Sequence, residues 1–353
     1  MPSSKPVFST PLTKLFNVNH PVLLAGMNVA AGPKLAAAVT NSGMRARGHR
    51  RNPAEPQVSS QLYRGDQVVP RGQGRAVWRG PAHPAAGRER AEDEQGLHLR
   101  STVPELIDVI IEGKASLFVC AVGVPPKWAV DKLHAAGIVV MNMIGHPKHV
   151  AKALAQGVDI ICAQGGEGGG HTGETPFSIL IPAVVDLCKD AKSPLTGEPI
   201  VVVAAGGVAD GRGLAAALAY GASGVWVGTR FVASEEAGAN PLHKEMVLSA
   251  GYNDVARTVI YSGRPMNVRK TPYVEEWETK RRAEIETLVA DGIIPHDAEV
   301  DKNPKAFKDG MGWLMGKVAG SINDIKPAKE IVDELVSTAA RSLSAANDLK
   351  AKL

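Results

Sequence analysis

Short runs of β-branched and aliphatic residues alternate along the chain with segments whose apolar positions recur at helical spacing. The runs are PVLLAGM (21–27), SLFVCAVG (116–123), IVVMNMIG (138–145), VDIICAQGG (158–166), PIVVVAAGGVAD (199–210) and GVWVGTRFVAS (224–234). They are nearly continuous in apolar residues, as strands of a parallel sheet are when both faces are covered. Helical patterns lie between them. These are LAAAVTNSG, residues 104–112 with Leu106, Ile107, Ile110 and Ile111 on one face, PPKWAVDKLHAAG, HVAKALAQG, SILIPAVVDLCKD and RGLAAALAYG. Pro126 suits the first turn of the third of these. The repeat predicts an α/β chain built as a TIM (β/α)8 barrel, although six strands are two fewer than the barrel requires. Residues 1–240 form the expected barrel. Residues 241–353 are more charged and are expected to be an appended helical region over the barrel's active face, from EEWETKRRAEIETLVADG through KAFKDGMGWLMGKVAGSI to a closing helix after Pro327.

Residues 44–100 break the pattern. They hold eleven Arg and no Lys, against eight Arg and 21 Lys elsewhere, and no strand-like run. A basic disordered insertion is one explanation. A reading-frame error is the favoured one. Plausible codons for Ala76–Pro84, displaced by one base, encode Pro-Phe-Gly-Val-Asp-Leu-Leu-Ile-Pro, a good buried strand. The same displacement turns residues 49–56 into Ile-Gly-Gly-Thr-Pro-Arg-Asn. Two barrel strands belong in this stretch. Each large side chain left unburied costs about 1.5–3 kcal/mol, against a net stability of about 5–15 kcal/mol. The chain as written is therefore expected to be unstable or inactive.

Composition narrows the class. At 44% hydrophobic and 22% charged residues the chain resembles a soluble enzyme, and a net charge of +4 is too small and scattered to argue for nucleic acid. Cys120, Cys162 and Cys188 form no CxxC pair, so neither a disulfide framework nor a zinc site is expected. No apolar run is long enough to span a membrane, and MPSSKPVFST lacks a signal-peptide core. A cytoplasmic location is expected. Ala351-Lys352-Leu353 resembles the Ser-Lys-Leu peroxisomal address, which makes the peroxisome the alternative.

In a parallel barrel, ligands meet the C-terminal ends of the strands. There lie Ala25-Gly26-Met27-Asn28, the stretch from Gln164 to His171, Ala205-Gly206-Gly207-Val208 and Gly228-Thr229-Arg230. The last two follow adjacent strands, where this fold usually binds phosphate. Gly206, Gly207, Gly228 and Thr229 are therefore expected to cradle a phosphate with backbone N–H groups, aided by a helix N-terminus. His171, behind a glycine-rich loop, is the leading catalytic candidate, because imidazole exchanges protons near neutral pH. Glu167 is equally a partner that orients His171 and a solvated carboxylate. Cys162 is expected to pack within its strand, and His146 with His149 to begin a surface helix rather than bind metal. No Ser-His-Asp arrangement is visible.

The stretches GGEGGGHTGE, VVAAGGVADGRGLAAALAYGASGVWVGTRF and PVLLAGMNVAAGPKLAAAVTNSG closely resemble the nitronate monooxygenase family, most nearly its fungal members. The resemblance covers roughly residues 10–43 and 103–270. It implies a barrel that binds FMN non-covalently and oxidises alkyl nitronates, and in some members neutral nitroalkanes, with O2 to a carbonyl compound and nitrite. By position, His171 matches the active-site histidine. Ala25, Gly26 and Met27 match the loop beside the flavin ring, Gln164 and Gly169 match positions near flavin and substrate, and Gly206, Gly207, Gly228 and Thr229 match the phosphate site. The family's G-L-G-V-I-G-G and P-F-G-V-D-L-L-x-P motifs are missing, and residues 44–100 stand in their place. The partners implied are a small nitronate or nitroalkane and O2, with no nucleic acid or membrane, and homo-oligomerisation is left open. The alternatives are another FMN-barrel activity, an enoyl-thioester or NAD(P)H:quinone reductase, and an inactive product of a frame-shifted gene.

Overall fold

The computed structural model describes residues 7–43, 104–121 and 123–350. The six expected strands form one curled parallel sheet. They are β1 (Val22–Leu24), β2 (Leu117–Cys120), β3 (Val139–Ile144), β4 (Ile160–Gln164), β6 (Val201–Ala205) and β7 (Gly224–Val227), in the order β1-β7-β6-β4-β3-β2. This is the order of a (β/α)8 barrel from its first strand backwards, and β1 and β2, the outermost strands among the described residues, flank residues 44–103. Both the anomalous segment and the strands a shifted frame would restore lie outside the described residues.

Every helix expected between the strands is present: α2 (Pro33–Gly43), α3 (residues 104–112), α4 (Lys127–Ala135), α5 (Val150–Ala155), α6 (Phe177–Cys188) and α7 (Gly211–Ala219). The strands are apolar throughout because each packs on two sides. Alternate residues such as Val140, Ile161 and Val202 meet the helix layer, through Leu133, Leu180 and Leu214. Their neighbours Met141, Ile160, Cys162, Val203 and Trp226 fill the concave side together with Leu12 and Phe16. Leu12 belongs to α1 (Pro11–Leu15) and lies against Gly224, the first residue of β7, so α1 plugs the end where the strands begin. Cys162 is fully buried, and burial pushes its thiol far above the usual range, so it packs and does not attack.

In the run GVWVGTRFVAS the strand stops short of Gly228-Thr229-Arg230, as expected. β7 ends at Val227, and α8 (Thr229–Val232) is a single helical turn. The C-terminal region is less helical than its sequence suggests. Strands β8 (Val255–Thr258) and β9 (Met266–Arg269) form an antiparallel hairpin, joined by β5 (Gly170–His171) in the order β5-β9-β8. EEWETKRRAEIETLVADG does fold as two helices, Pro272–Lys280 and Arg282–Ala290. KAFKDGMGWLMGKVAGSI instead yields one short helix (Ala306–Asp309), an extended strap over residues 310–316 and a 3-10 turn (Lys317–Ser321). Glycines at 310, 312 and 316 interrupt its helical period.

The closing helix (Ala328–Asp348) takes a place in the outer ring between α7 and α2, on the barrel's flank rather than over its mouth. Its Ile331, Val332, Leu335 and Ala339 join the layer between sheet and helices. Residues 233–327 are thus an excursion from the strand ends that supplies part of the site.

Beneath the plugged end, His20 is 6% exposed, with Gly43 packed on its ring. Its Nδ1 accepts from the Val22 N–H at 3.3 Å, and its Nε2 has no partner among the described residues. Charging the ring would break that bond and bury a charge, and burial lowers its pKa to about 4. Between pH 6.5 and about 4 the unfolded chain binds the proton and the folded chain does not, so stability falls as pH falls. The loss from this group alone is expected to approach about 3 kcal/mol. Urea melts of the parent and His20→Phe across that range test this: the parent's stability should drop more steeply with acid than the variant's, and parallel curves would exclude His20 as the cause.

Candidate active site

The C-terminal ends of the strands open on a cavity of about 440 Å³. All ten residues singled out from the sequence line it. The loop after β1 brings Ala25, Gly26 and Met27. The loop after β4 brings Gln164, Gly169 and His171. Gly206 and Gly207 follow β6, and Gly228 and Thr229 follow β7. Trp226 and Met143 line it from the strands themselves.

The glycines of 165–173 make a seam of backbone against backbone. A β-carbon at Gly165 would stand 2.8 Å from the Phe177 backbone, one at Gly166 2.8 Å from the Glu174 carbonyl oxygen, and one at Gly169 2.7 Å from the Gly316 nitrogen. No side chain fits there, so the run presses the loop against α6 and the strap. Asn267 of β9, 1% exposed, locks the seam by donating from Nδ2 to the carbonyls of Gly166 (2.9 Å) and Gly168 (2.7 Å).

His171 therefore stands on a strand, not on a free loop, opposite Met266 of β9. Gln164 Nε2 donates to its carbonyl at 2.7 Å, tying the end of β4 to this strand. The imidazole Nε2 lies 2.8 Å from Ser262 Oγ, in the turn between β8 and β9. Ser262, Asn267 and His243, which also lines the cavity, are the residues that sequence reasoning missed. They lie 72 to 96 positions beyond His171 in a stretch that carries no motif, so only the fold brings them to it.

Glu167 does not orient His171. Both carboxylate oxygens accept from the Phe177 N–H, at 3.0 and 3.2 Å, and so cap α6, whose N-cap residue Pro176 has no side-chain donor or acceptor. His146 Nδ1 accepts from the Lys148 N–H at the start of a short helix, and no group of three metal-ligating side chains occurs among the described residues.

The glycine turns fit a phosphate group. Gly206 and Gly207 have φ of +76° and +75°, a left-handed pair that turns successive N–H groups the same way. A β-carbon on Gly206 would meet the Gly165 oxygen at 2.7 Å, whereas at Gly207 the nearest atom is 3.6 Å away. The Thr229 hydroxyl accepts from the Gly316 N–H at 2.9 Å, which leaves its own hydrogen to donate. The helix dipole adds little: α8 is four residues long, and Asp210 already caps α7 by accepting from the Arg212 N–H. Arg230, 6% exposed, is not among the cavity's lining residues and binds Asp324 through its carbonyl (3.0 Å) and carboxylate (2.6 Å), fastening the chain beyond the 3-10 turn.

The nitronate monooxygenase family model matches residues 81–338. The chain belongs to that family. It is accordingly a flavin-dependent oxidoreductase, of a family active on nitronates. A "probable nitronate monooxygenase" of Staphylococcus saprophyticus is 30% identical over 73% of this chain and 77% of its own length. A (3aS,4S,5R,7aS)-5-hydroxy-7a-methyl-1-oxo-octahydro-1H-indene-4-carboxyl-CoA dehydrogenase of Rhodococcus jostii is 31% identical over 97% of this chain and 99% of its own. Among solved structures, FabK from Thermotoga maritima superposes with a TM-score of 0.68 at 25% identity, covering 97% of this chain and all of that one. A nitroalkane oxidase from Streptomyces ansochromogenes, at 21% identity and a TM-score of 0.64, shares the fold. Among the described residues no helix is long and apolar enough to cross a membrane.

Proposed function

We propose that this nitronate monooxygenase-family chain binds FMN and converts alkyl nitronates with O2 to a carbonyl compound and nitrite. The observation that carries the reading is the placement of His171, tied to Ser262, in the same cavity as the paired glycine turns. The N–H groups of Gly206, Gly207 and Gly228 and the Thr229 hydroxyl would hold the FMN phosphate, with the Ala25–Met27 loop beside the ring. Bound there, FMN supplies the electron acceptor that the side chains lack. The residues do the rest. Protonated His171 pairs with the anionic nitro oxygens of a nitronate, and neutral His171 takes the α-proton of a nitroalkane. Met27, Met266 and Leu314 give the alkyl group an apolar wall that excludes water.

The test is the visible spectrum of the purified protein, followed by oxygen uptake and nitrite release with ethyl nitronate. A yellow protein that consumes O2 and releases nitrite supports this function and overturns the expectation that the chain is unstable or inactive. A second reading, oxidoreduction of a CoA thioester, is favoured by the Rhodococcus jostii relative, whose match spans both chains almost completely. Anaerobic bleaching of the flavin by NADH and not by ethyl nitronate would favour that reading and overturn the first.

Ser262 acts through His171. A net hydrogen bond is worth about 0.5–1.5 kcal/mol, so Ser262→Ala is expected to lower kcat/KM about 2- to 10-fold with flavin content unchanged. It should also move the histidine limb of the pH–rate profile, and Ser262→Thr should restore both. A lower rate with an unmoved profile would reduce Ser262 to a packing role.

A further inference from the structure

We infer that Leu314 sets the size limit for the substrate's alkyl group, which rests on the reading of the cavity as a nitronate site. The strap carries Leu314 to the same edge of β9 that holds His171. Met266 pairs with His171 and Val268 bridges Leu314, so the two stand two residues apart along one strand, about 7 Å. The Leu314 side chain reaches back over this interval. A β-carbon on Gly170, the residue before His171, would lie 3.6 Å from Leu314 Cδ2. An alkyl group running along the wall from the imidazole therefore meets the Leu314 methyls.

The backbone that carries this part of the wall is held in place. His243 Nε2 donates to the Leu314 carbonyl at 2.8 Å, the Arg269 N–H to the Trp313 carbonyl at 2.8 Å, and the Gly316 N–H to Thr229 Oγ1 at 2.9 Å. Between these ties Leu314, 42% exposed, lines the cavity. The size of this one residue then decides how much chain fits beside His171. A single methylene in an apolar pocket changes discrimination by about 10- to 200-fold.

The test compares parent, Leu314→Ala and Leu314→Phe on ethyl, butyl and hexyl nitronates. The hexyl-to-ethyl ratio of kcat/KM is expected to rise about tenfold or more in the alanine variant and to fall below the parent's in the phenylalanine variant. Binding gives a readout independent of turnover. Acetate, butyrate and hexanoate, planar anions with no nitro group to lose, are titrated against the bound flavin's visible spectrum, and their dissociation constants should follow the same order. Leu314→Met, which nearly conserves volume, is the control that should bind flavin and keep the parent's ranking, and Leu314→Val, one methylene shorter, replaces either variant that purifies without flavin and should move the ranking in the alanine direction. An unchanged ranking in any flavin-loaded variant other than Leu314→Met overturns the inference. A parent that oxidises no nitronate overturns the functional reading instead, and the carboxylate series still decides Leu314.

Discussion

Replacement of His171 by alanine is expected to lower kcat/KM by about 10²–10⁴, the usual worth of a positioned acid–base group. The flavin content and melting temperature should stay close to the parent's, because the side chain is exposed and belongs to no core cluster. The loss should depend on the substrate. A nitronate arrives deprotonated and asks the imidazole only for a positive charge and a hydrogen bond. A neutral nitroalkane must surrender a proton from carbon, so its turnover should fall further. His171→Asn keeps a hydrogen-bond donor without the base, and should recover part of the nitronate activity and little of the nitroalkane activity. Steady-state kinetics on both substrates decide the matter. An alanine variant within threefold of the parent on both would remove His171 from the chemistry.

Replacement of Gly206 by alanine is expected to be as damaging to the fold as to the site. A left-handed backbone carrying a side chain costs about 1–3 kcal/mol. The new methyl would also sit 2.7 Å from the Gly165 oxygen and 3.1 Å from the nitrogens of Gly165 and Gly168. Those atoms belong to the seam that Asn267 locks, so the backbone cannot simply retreat. Gly207 has nearly the same φ, +75° against +76°, but no atom within 3.6 Å of a β-carbon. Gly207→Ala should then show the conformational cost alone. Thermal melts of the two variants isolate the effect of close approach, and the flavin-to-protein ratio reports the cradle. Gly206→Ala should melt well below Gly207→Ala and lose flavin. Equal melting temperatures would show that the Gly165–Gly168 turn yields.

The candidate site divides into a part written locally and a part assembled at a distance. Local patterning places the glycine turns at the ends of β6 and β7 and His171 behind the β4 loop, because strand ends and turn glycines are properties of a few neighbouring residues. Ser262 gives no such signal. It is one serine in a polar turn, and its relation to His171 exists only because β9 pairs with β5. Glu167 shows the opposite failure. Proximity in sequence suggests a partner for His171, yet the seam turns its carboxylate to the Phe177 N–H. The strap is misread for a third reason. Its apolar spacing suits a helix, but its glycines meet Tyr261, Tyr273 and the Glu167 carbonyl too closely for a helical path to compete.

The sequence by itself determined the six parallel strands, the helices between them, the family and the cavity-facing turns. Apolar periodicity and turn glycines act over the length of one element, where local sterics and burial decide the outcome. Only the tertiary structure decided that a hairpin and a strap from beyond residue 250 wall the cavity, that Ser262 holds His171, and that the closing helix completes the ring between α2 and α7. Such contacts depend on how whole elements pack, and packing selects for shape and volume at a site rather than for a residue type that a motif could announce.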